Sequence, residues 1–124
     1  MPHQQPVVLI VEDDPVQADL HRDILESDGY RVESLADGAT ALERIEAGGI
    51  DLVLLDIGLP ELDGVAVCQG IRATARAHHP PIIMLSALPD ATLGQTVAGA
   101  DADDYLSKPF DIKELLTVVA RHCA

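Results

Sequence analysis

The residues that could do chemistry stand at the ends of short apolar runs. Asp56 closes Asp51-Leu52-Val53-Leu54-Leu55-Asp56 and is followed by Gly58, Pro60 and Asp63-Gly64, which are loop punctuation. Glu12 and Asp13 follow Val7 to Val11, Ser86 follows Ile82 to Leu85, and Lys108 follows Tyr105-Leu106-Ser107. If these runs are strands of one parallel sheet, all end on the same edge, where ligands of open α/β sheets bind. Three carboxylates, a hydroxyl and an ammonium would then converge. Two unit charges ~5 Å apart repel by ~3 kcal/mol at an effective dielectric of 20, so a carboxylate trio needs neutralising. Lys108 offsets part of that repulsion and a divalent cation can offset the rest. Oxygen ligands, with no His or Cys at any strand end, suit Mg²⁺ rather than zinc. Carboxylate, Mg²⁺, hydroxyl and ammonium around one point describe phosphoryl transfer. Asp56 is the candidate nucleophile, since a carboxylate can take a phosphoryl group covalently. Ser86 would donate to one phosphoryl oxygen, Lys108 would neutralise another, and Glu12 and Asp13 would hold the metal.

The elements that must position these groups alternate. Val7 to Val11 is an unbroken apolar strand. Asp14 then caps a helix whose first position is Pro15, with Val16, Leu20, Ile24 and Leu25 on its inner face and Gly29 as its stop. Tyr30 to Ala36 is the second strand. Ala41, Leu42 and Ile45 mark a short helix that ends at Gly48-Gly49. Residues 52 to 55 form the third strand, and Val65, Cys68 and Ile71 pattern the helix after it. Ile82 to Leu85 is the fourth strand. Ala91 to about Ala100 is a helix weakened by Gly94 and Gly99. Tyr105 to Ser107 is the fifth strand. Asp111 with Glu114 is a capping box for a last helix that buries Ile112, Leu115, Leu116 and Val119. Five strands alternating with five helices mean a parallel sheet, helices on both faces and right-handed crossovers.

Size and charge bound the rest. A chain of 124 residues with 48% hydrophobic residues, no Trp and one Phe predicts one domain with an aliphatic core. Residues 1 to 6, rich in Pro and Gln, are expected to fray. A net charge of −13 repels nucleic acid and anionic membrane, so neither is expected as a direct partner. No signal peptide or span-length apolar run is found. Cys68 and Cys123 lack C-x-x-C spacing and read as reduced thiols, which points to the cytoplasm. His78-His79, beside Pro80-Pro81, reads as loop rather than metal site. Asp103 and Asp104 read as a solvated acidic edge rather than as pairing groups for a dimer partner.

Four motifs in order, each after a predicted strand, carry a family resemblance: Val11-Glu12-Asp13-Asp14-Pro15, Leu55-Asp56 through Pro60 and Asp63-Gly64, Leu85-Ser86-Ala87, and Lys108-Pro109-Phe110. From Val7 to Cys123 the chain resembles the receiver domain of two-component response regulators. The resemblance implies a flavodoxin-like (βα)5 fold with strand order 2-1-3-4-5. It makes Asp56 the phosphoacceptor, fed by a phosphohistidine on a sensor histidine kinase or phosphotransfer protein. It implies Mg²⁺ held by Asp13, Asp56 and the Gly58 main-chain carbonyl, with Glu12 acting through water. Ser86 and Lys108 correspond to the phosphoryl-sensing pair and Tyr105 to the switch aromatic. Lys108-Pro109 corresponds to a cis peptide. The protein would catalyse only its own phosphorylation and dephosphorylation. Output would pass through the face formed by helix 91–100, the fifth strand and the last helix, where a homodimer would also form.

Two departures stand out. Asp101 replaces the glycine common before Ala102-Asp103-Asp104-Tyr105, and Gly58 offers no side chain beside Asp56 while Leu88 lies two residues past Ser86. Two other functions compete with this one. A phosphatase of the haloacid-dehalogenase kind needs a second Asp two residues after the nucleophile, where Gly58 stands. A receiver that binds partners without phosphorylation would not need the complete set of acceptor, metal and sensing residues.

Overall fold

The computed structural model describes residues 5–56, 64–73, 80–86 and 102–123. In chain order they form β1 (Val7–Val11), α1 (Pro15–Ser27), β2 (Arg31–Leu35), α2 (Gly38–Glu46), β3 (Leu52–Asp56), α3 (Gly64–Arg72), β4 (Ile82–Ser86), β5 (Asp104–Ser107) and a last helix, α4 (Ile112–Cys123). The five strands make one parallel sheet in the order β2-β1-β3-β4-β5. This is the α/β architecture and strand order that the resemblance implies. The helix expected over 91–100, together with Gly58, Leu88, Asp101 and His78-His79, lies outside the described residues.

Strand side chains alternate between faces, which divides the core in two. Leu9, Val11, Val53, Leu55, Ile82 and Met84 pack with Ala41 and Ile45 of α2 and with Val67, Cys68 and Ile71 of α3. Val8, Ile10, Leu52, Leu54, Ile83 and Leu85 pack with Leu25 of α1 and with Leu115, Val118 and Val119 of α4. β1, β3 and β4 are therefore apolar at successive positions because both of their faces are covered.

Local chemistry sets the helix ends. Asp14 Oδ1 accepts from the Val16 N–H at 2.9 Å, with Pro15 as first residue of α1. Gly29, at φ +95°, ends the helix, while the Tyr30 N–H returns to the Leu25 carbonyl at 3.1 Å. The Asp111–Glu114 capping box forms, with Glu114 N–H donating to Asp111 Oδ1 at 2.7 Å and Asp111 N–H to Glu114 Oε1 at 3.3 Å.

Two helix faces differ from the sequence expectation. α1 buries Ala18, His21 and Leu25, while Val16 is 71% and Leu20 49% exposed. The four-residue spacing of Val16, Leu20 and Ile24 drifts round the helix, and its first two members lie opposite the Ala18-His21-Leu25 stripe. In α4 the buried set is Leu115, Val118 and Val119, and Ile112 in the first turn is 57% exposed.

The acidic pair before and in β5 is also not a free edge. Asp103 forms an ion pair with Arg72 at the end of α3 and accepts from the Ile82 N–H at 2.8 Å. Asp104 receives Arg121 Nη1 and His122 Nε2 of α4, both at 3.0 Å; burial pushes its carboxyl up, but these contacts and the Tyr105 N–H outweigh burial and leave it below the usual range. Cations from helix ends on either side hold the two aspartates within the chain.

Candidate functional site

The carboxyl ends of β1, β3, β4 and β5 open on one edge of the sheet. The Glu12 N–H donates to the Leu35 carbonyl at 2.9 Å, which fixes the turn leaving β1. Asp56 is the last residue of β3, and Ser86, buried, the last of β4. Ser86 is in register with Ser107, and its carbonyl accepts from the Lys108 N–H at 2.7 Å. That bond carries the chain from β5 back over the strand ends. The Lys108–Pro109 peptide that follows is cis.

Lys108 Nζ reaches Asp56 Oδ2 at 3.0 Å and stands 3.8 Å from Glu12 Oε1. One carboxylate oxygen from each of Glu12, Asp13 and Asp56 lies within 4.8 Å of the others. Residues separated by 96 positions in sequence, Glu12 to Lys108, therefore share one cluster.

Burial makes Glu12 the strained member. It is 4% exposed, and its Oε1 finds no hydrogen-bond partner among the described residues. Burial first, then the nearby Asp56 carboxylate, push its pKa to about 7, against the pull of Lys108 and of the Asp14 N–H. Asp13 is exposed, so solvent screens its charge. Burial lowers the Lys108 ammonium, but the hydrogen bond and charge of Asp56, helped by Glu12 and Asp13, outweigh burial and leave it above its ordinary value.

The geometry also fits a hard divalent cation. Three carboxylate oxygens lie close enough to share one ion, and the buried Glu12 Oε1 makes no hydrogen bond among the described residues, with Lys108 Nζ 3.8 Å away as its balancing charge. Asp13, Asp56 and Glu12 are the side chains that would hold it.

Tyr105 stands apart from the cluster. It pairs with Met84 across β4 and β5 and is 36% exposed. His21 on α1 is the neighbour that sequence reading missed. It is 4% exposed, and its ring stacks on Phe110 with centroids 5.4 Å apart. With Gln17, Leu20, Lys108, Pro109 and Phe110 it lines a cavity of about 400 Å³. The signal was present in the spacing of Ala18, His21 and Leu25, which puts a histidine in the middle of a buried stripe.

Comparison with known proteins bears on the family and the fold. A family model described as the response regulator receiver domain matches residues 8–120. The chain is 40% identical over 116 residues to the DNA-binding dual master transcriptional regulator RpaA of Synechocystis, covering 92% of this chain and 47% of RpaA. It is 44% identical over 104 residues to the transcriptional regulatory protein CseB of Streptomyces coelicolor, covering 84% of this chain and 43% of CseB. The chain thus spans less than half the length of these curated relatives. Among solved structures, the receiver domain of the sensor histidine kinase PA1611 from Pseudomonas aeruginosa superimposes with a TM-score of 0.87 at 36% identity, over 97% of this chain and 98% of that one. That structure holds a magnesium ion in its active-site cleft. Vibrio cholerae CheY4 superimposes with a TM-score of 0.88 at 27% identity, over 96% of this chain and 99% of that one. On its fold and on a family match that runs nearly end to end, this chain belongs to the response regulator receiver domain family.

Proposed function

We propose that the chain is a Mg²⁺-dependent switch in which Asp56 takes a phosphoryl group from a phosphohistidine on a sensor kinase or phosphotransfer protein. The observation that carries this reading is the convergence of Asp56, Lys108, Glu12 and Asp13 at one sheet edge. An Asp56 carboxylate oxygen attacks phosphorus, the bond to the donor imidazole breaks, and the imidazole leaves with its electron pair. Lys108, already 3.0 Å from Asp56, is placed to neutralise a phosphoryl oxygen, and Ser86 is placed on the adjacent strand end to donate to another. A bound Mg²⁺ supplies positive charge to the carboxylates and the incoming phosphoryl oxygens. A phosphoryl group held by Ser86 and Lys108 favours one of two arrangements of the output face. Of that face, β5 and α4 are described. A dimer that used Asp103 or Asp104 would have to exchange their ion pairs within the chain for pairs with a partner. Removing divalent cations with a chelator should abolish the gain of a phosphoryl group from acetyl phosphate, and Mg²⁺ should restore it. A gain that persists in chelator would remove the metal from the mechanism.

The donor also needs a surface to dock on. Val16 and Leu20 are apolar, exposed, and on the helix that follows Glu12 and Asp13 directly. Leu20 shares the cavity edge with Lys108 and Pro109. An apolar stripe beside a charged site suits a partner that must bring one histidine to Asp56. Leu20→Glu should therefore lower the ratio of transfer from a phosphohistidine protein to transfer from acetyl phosphate by about tenfold, the loss of one interface anchor. An unchanged ratio would place docking elsewhere.

A further inference from the structure

We propose that His21 is a positioning residue for phosphoryl transfer: as a neutral ring it holds Phe110, and through it Lys108, in place, and it releases them when it takes a proton. This rests on the assignment of Asp56 as acceptor. Three observations carry it. His21 is buried on the inner stripe of α1, between Ala18 and Leu25. Its ring stacks on Phe110, two residues past Lys108, with an interplanar angle of 30°. Its Nδ1 is buried and finds no hydrogen-bond partner among the described residues.

A neutral imidazole fits that slot at lower cost, because an unpaired neutral acceptor forfeits one hydrogen bond to water, whereas a buried cation forfeits far more solvation. An imidazolium does not fit. Nδ1 becomes a charged donor with no acceptor at hand, and burying such a group is expensive. The charged groups that act on the ring are Lys108, from the segment between β5 and α4, and Asp56, from the end of β3. Lys108 opposes a second cation beside it and Asp56 favours one. Glu12 and Asp13, at the end of β1, act on Lys108 rather than on the ring. Burial first, then Lys108, outweigh Asp56 and hold the imidazole below its ordinary pKa. On protonation the ring must leave the slot, the stack on Phe110 is lost, and the Lys108 segment loses its support on the α1 side. The 400 Å³ cavity that His21 shares with Lys108 and Phe110 gives the ring room to move.

The test is the rate of phosphorylation by acetyl phosphate with saturating Mg²⁺, from about pH 8 to about pH 5, in wild type, His21→Phe and His21→Leu. Each protein is normalised to its own rate at the alkaline end. His21→Phe keeps an aromatic ring and His21→Leu keeps an apolar filling, and neither titrates. Glu12 remains in all three, so its titration is common to them. Wild type should lose several-fold more rate on the acid side than either variant. Superimposable profiles, or a steeper acid loss in the variants, would reduce His21 to core packing and overturn the proposal. If no protein gains a phosphoryl group at any pH, or if the gain survives Asp56→Ala, the acceptor assignment fails instead.

Discussion

Glu12→Gln should stabilise the metal-free protein, by about 2–3 kcal/mol above pH 7. Glu12 is 4% exposed, one of its oxygens makes no hydrogen bond among the described residues, and burial with the nearby Asp56 carboxylate puts its pKa at about 7 against 4.5 for an ordinary glutamate. A carboxyl whose pKa is raised on folding binds more protons folded than unfolded between those two values. Its contribution is therefore neutral below about pH 4.5, becomes progressively destabilising as pH rises, and levels off above about pH 7. Full linkage would be on the order of 3 kcal/mol, and the buried amide of glutamine keeps part of the desolvation cost. Urea unfolding in chelator should show the difference between variant and wild type shrinking by more than half between about pH 8 and about pH 5.5. Saturating Mg²⁺ should reverse the order, since wild type then gains binding energy that the variant lacks. A variant less stable than wild type in chelator at pH 8 would mean that the crowding of carboxylates is not what it appears from burial.

The same comparison moves the centre of the strain. Charge counting from the sequence distributes repulsion over Glu12, Asp13 and Asp56 alike. The fold exposes Asp13 to solvent, lets Lys108 pair with Asp56 at 3.0 Å, and leaves Glu12 at 3.8 Å. Neutralising Asp13 should therefore matter less to the metal-free protein than neutralising Glu12.

The sheet was readable because buried parallel strands need no alternation. Val7 to Val11 and Leu52 to Leu55 are continuous apolar runs, and polar groups at their ends must share an edge once the runs are parallel. The cluster followed from that single inference. Helix faces were harder. On α1, Val16 and Leu20 outrank Ala18 and His21 in hydrophobicity, yet Ala18 and His21 face the sheet. A pattern that weighs side-chain type alone selects the wrong stripe, because exposed apolar residues are common and a histidine is an unusual core residue. The fates of Asp103 and Asp104 were not legible at all. Their partners, Arg72, Arg121 and His122, come from helix ends that only the tertiary arrangement brings to β5.

Asp56→Ala should abolish phosphorylation outright, the largest effect expected of any single change. No other carboxylate in the cluster is equivalent to it. Glu12 is buried and largely protonated below about pH 7, and Asp13, exposed, makes no ion pair with Lys108 within 4.0 Å among the described residues, whereas Asp56 does so at 3.0 Å. Losing Asp56 also removes the negative charge that helps raise Glu12, so the variant should remain folded and its failure should be chemical. The direct measurement is intact mass of wild type and Asp56→Ala after identical incubation with acetyl phosphate and Mg²⁺. Wild type should gain the mass of one phosphoryl group and the variant none. Equal gain in both proteins, or no gain in wild type, would contradict a phosphoacceptor site at the end of β3.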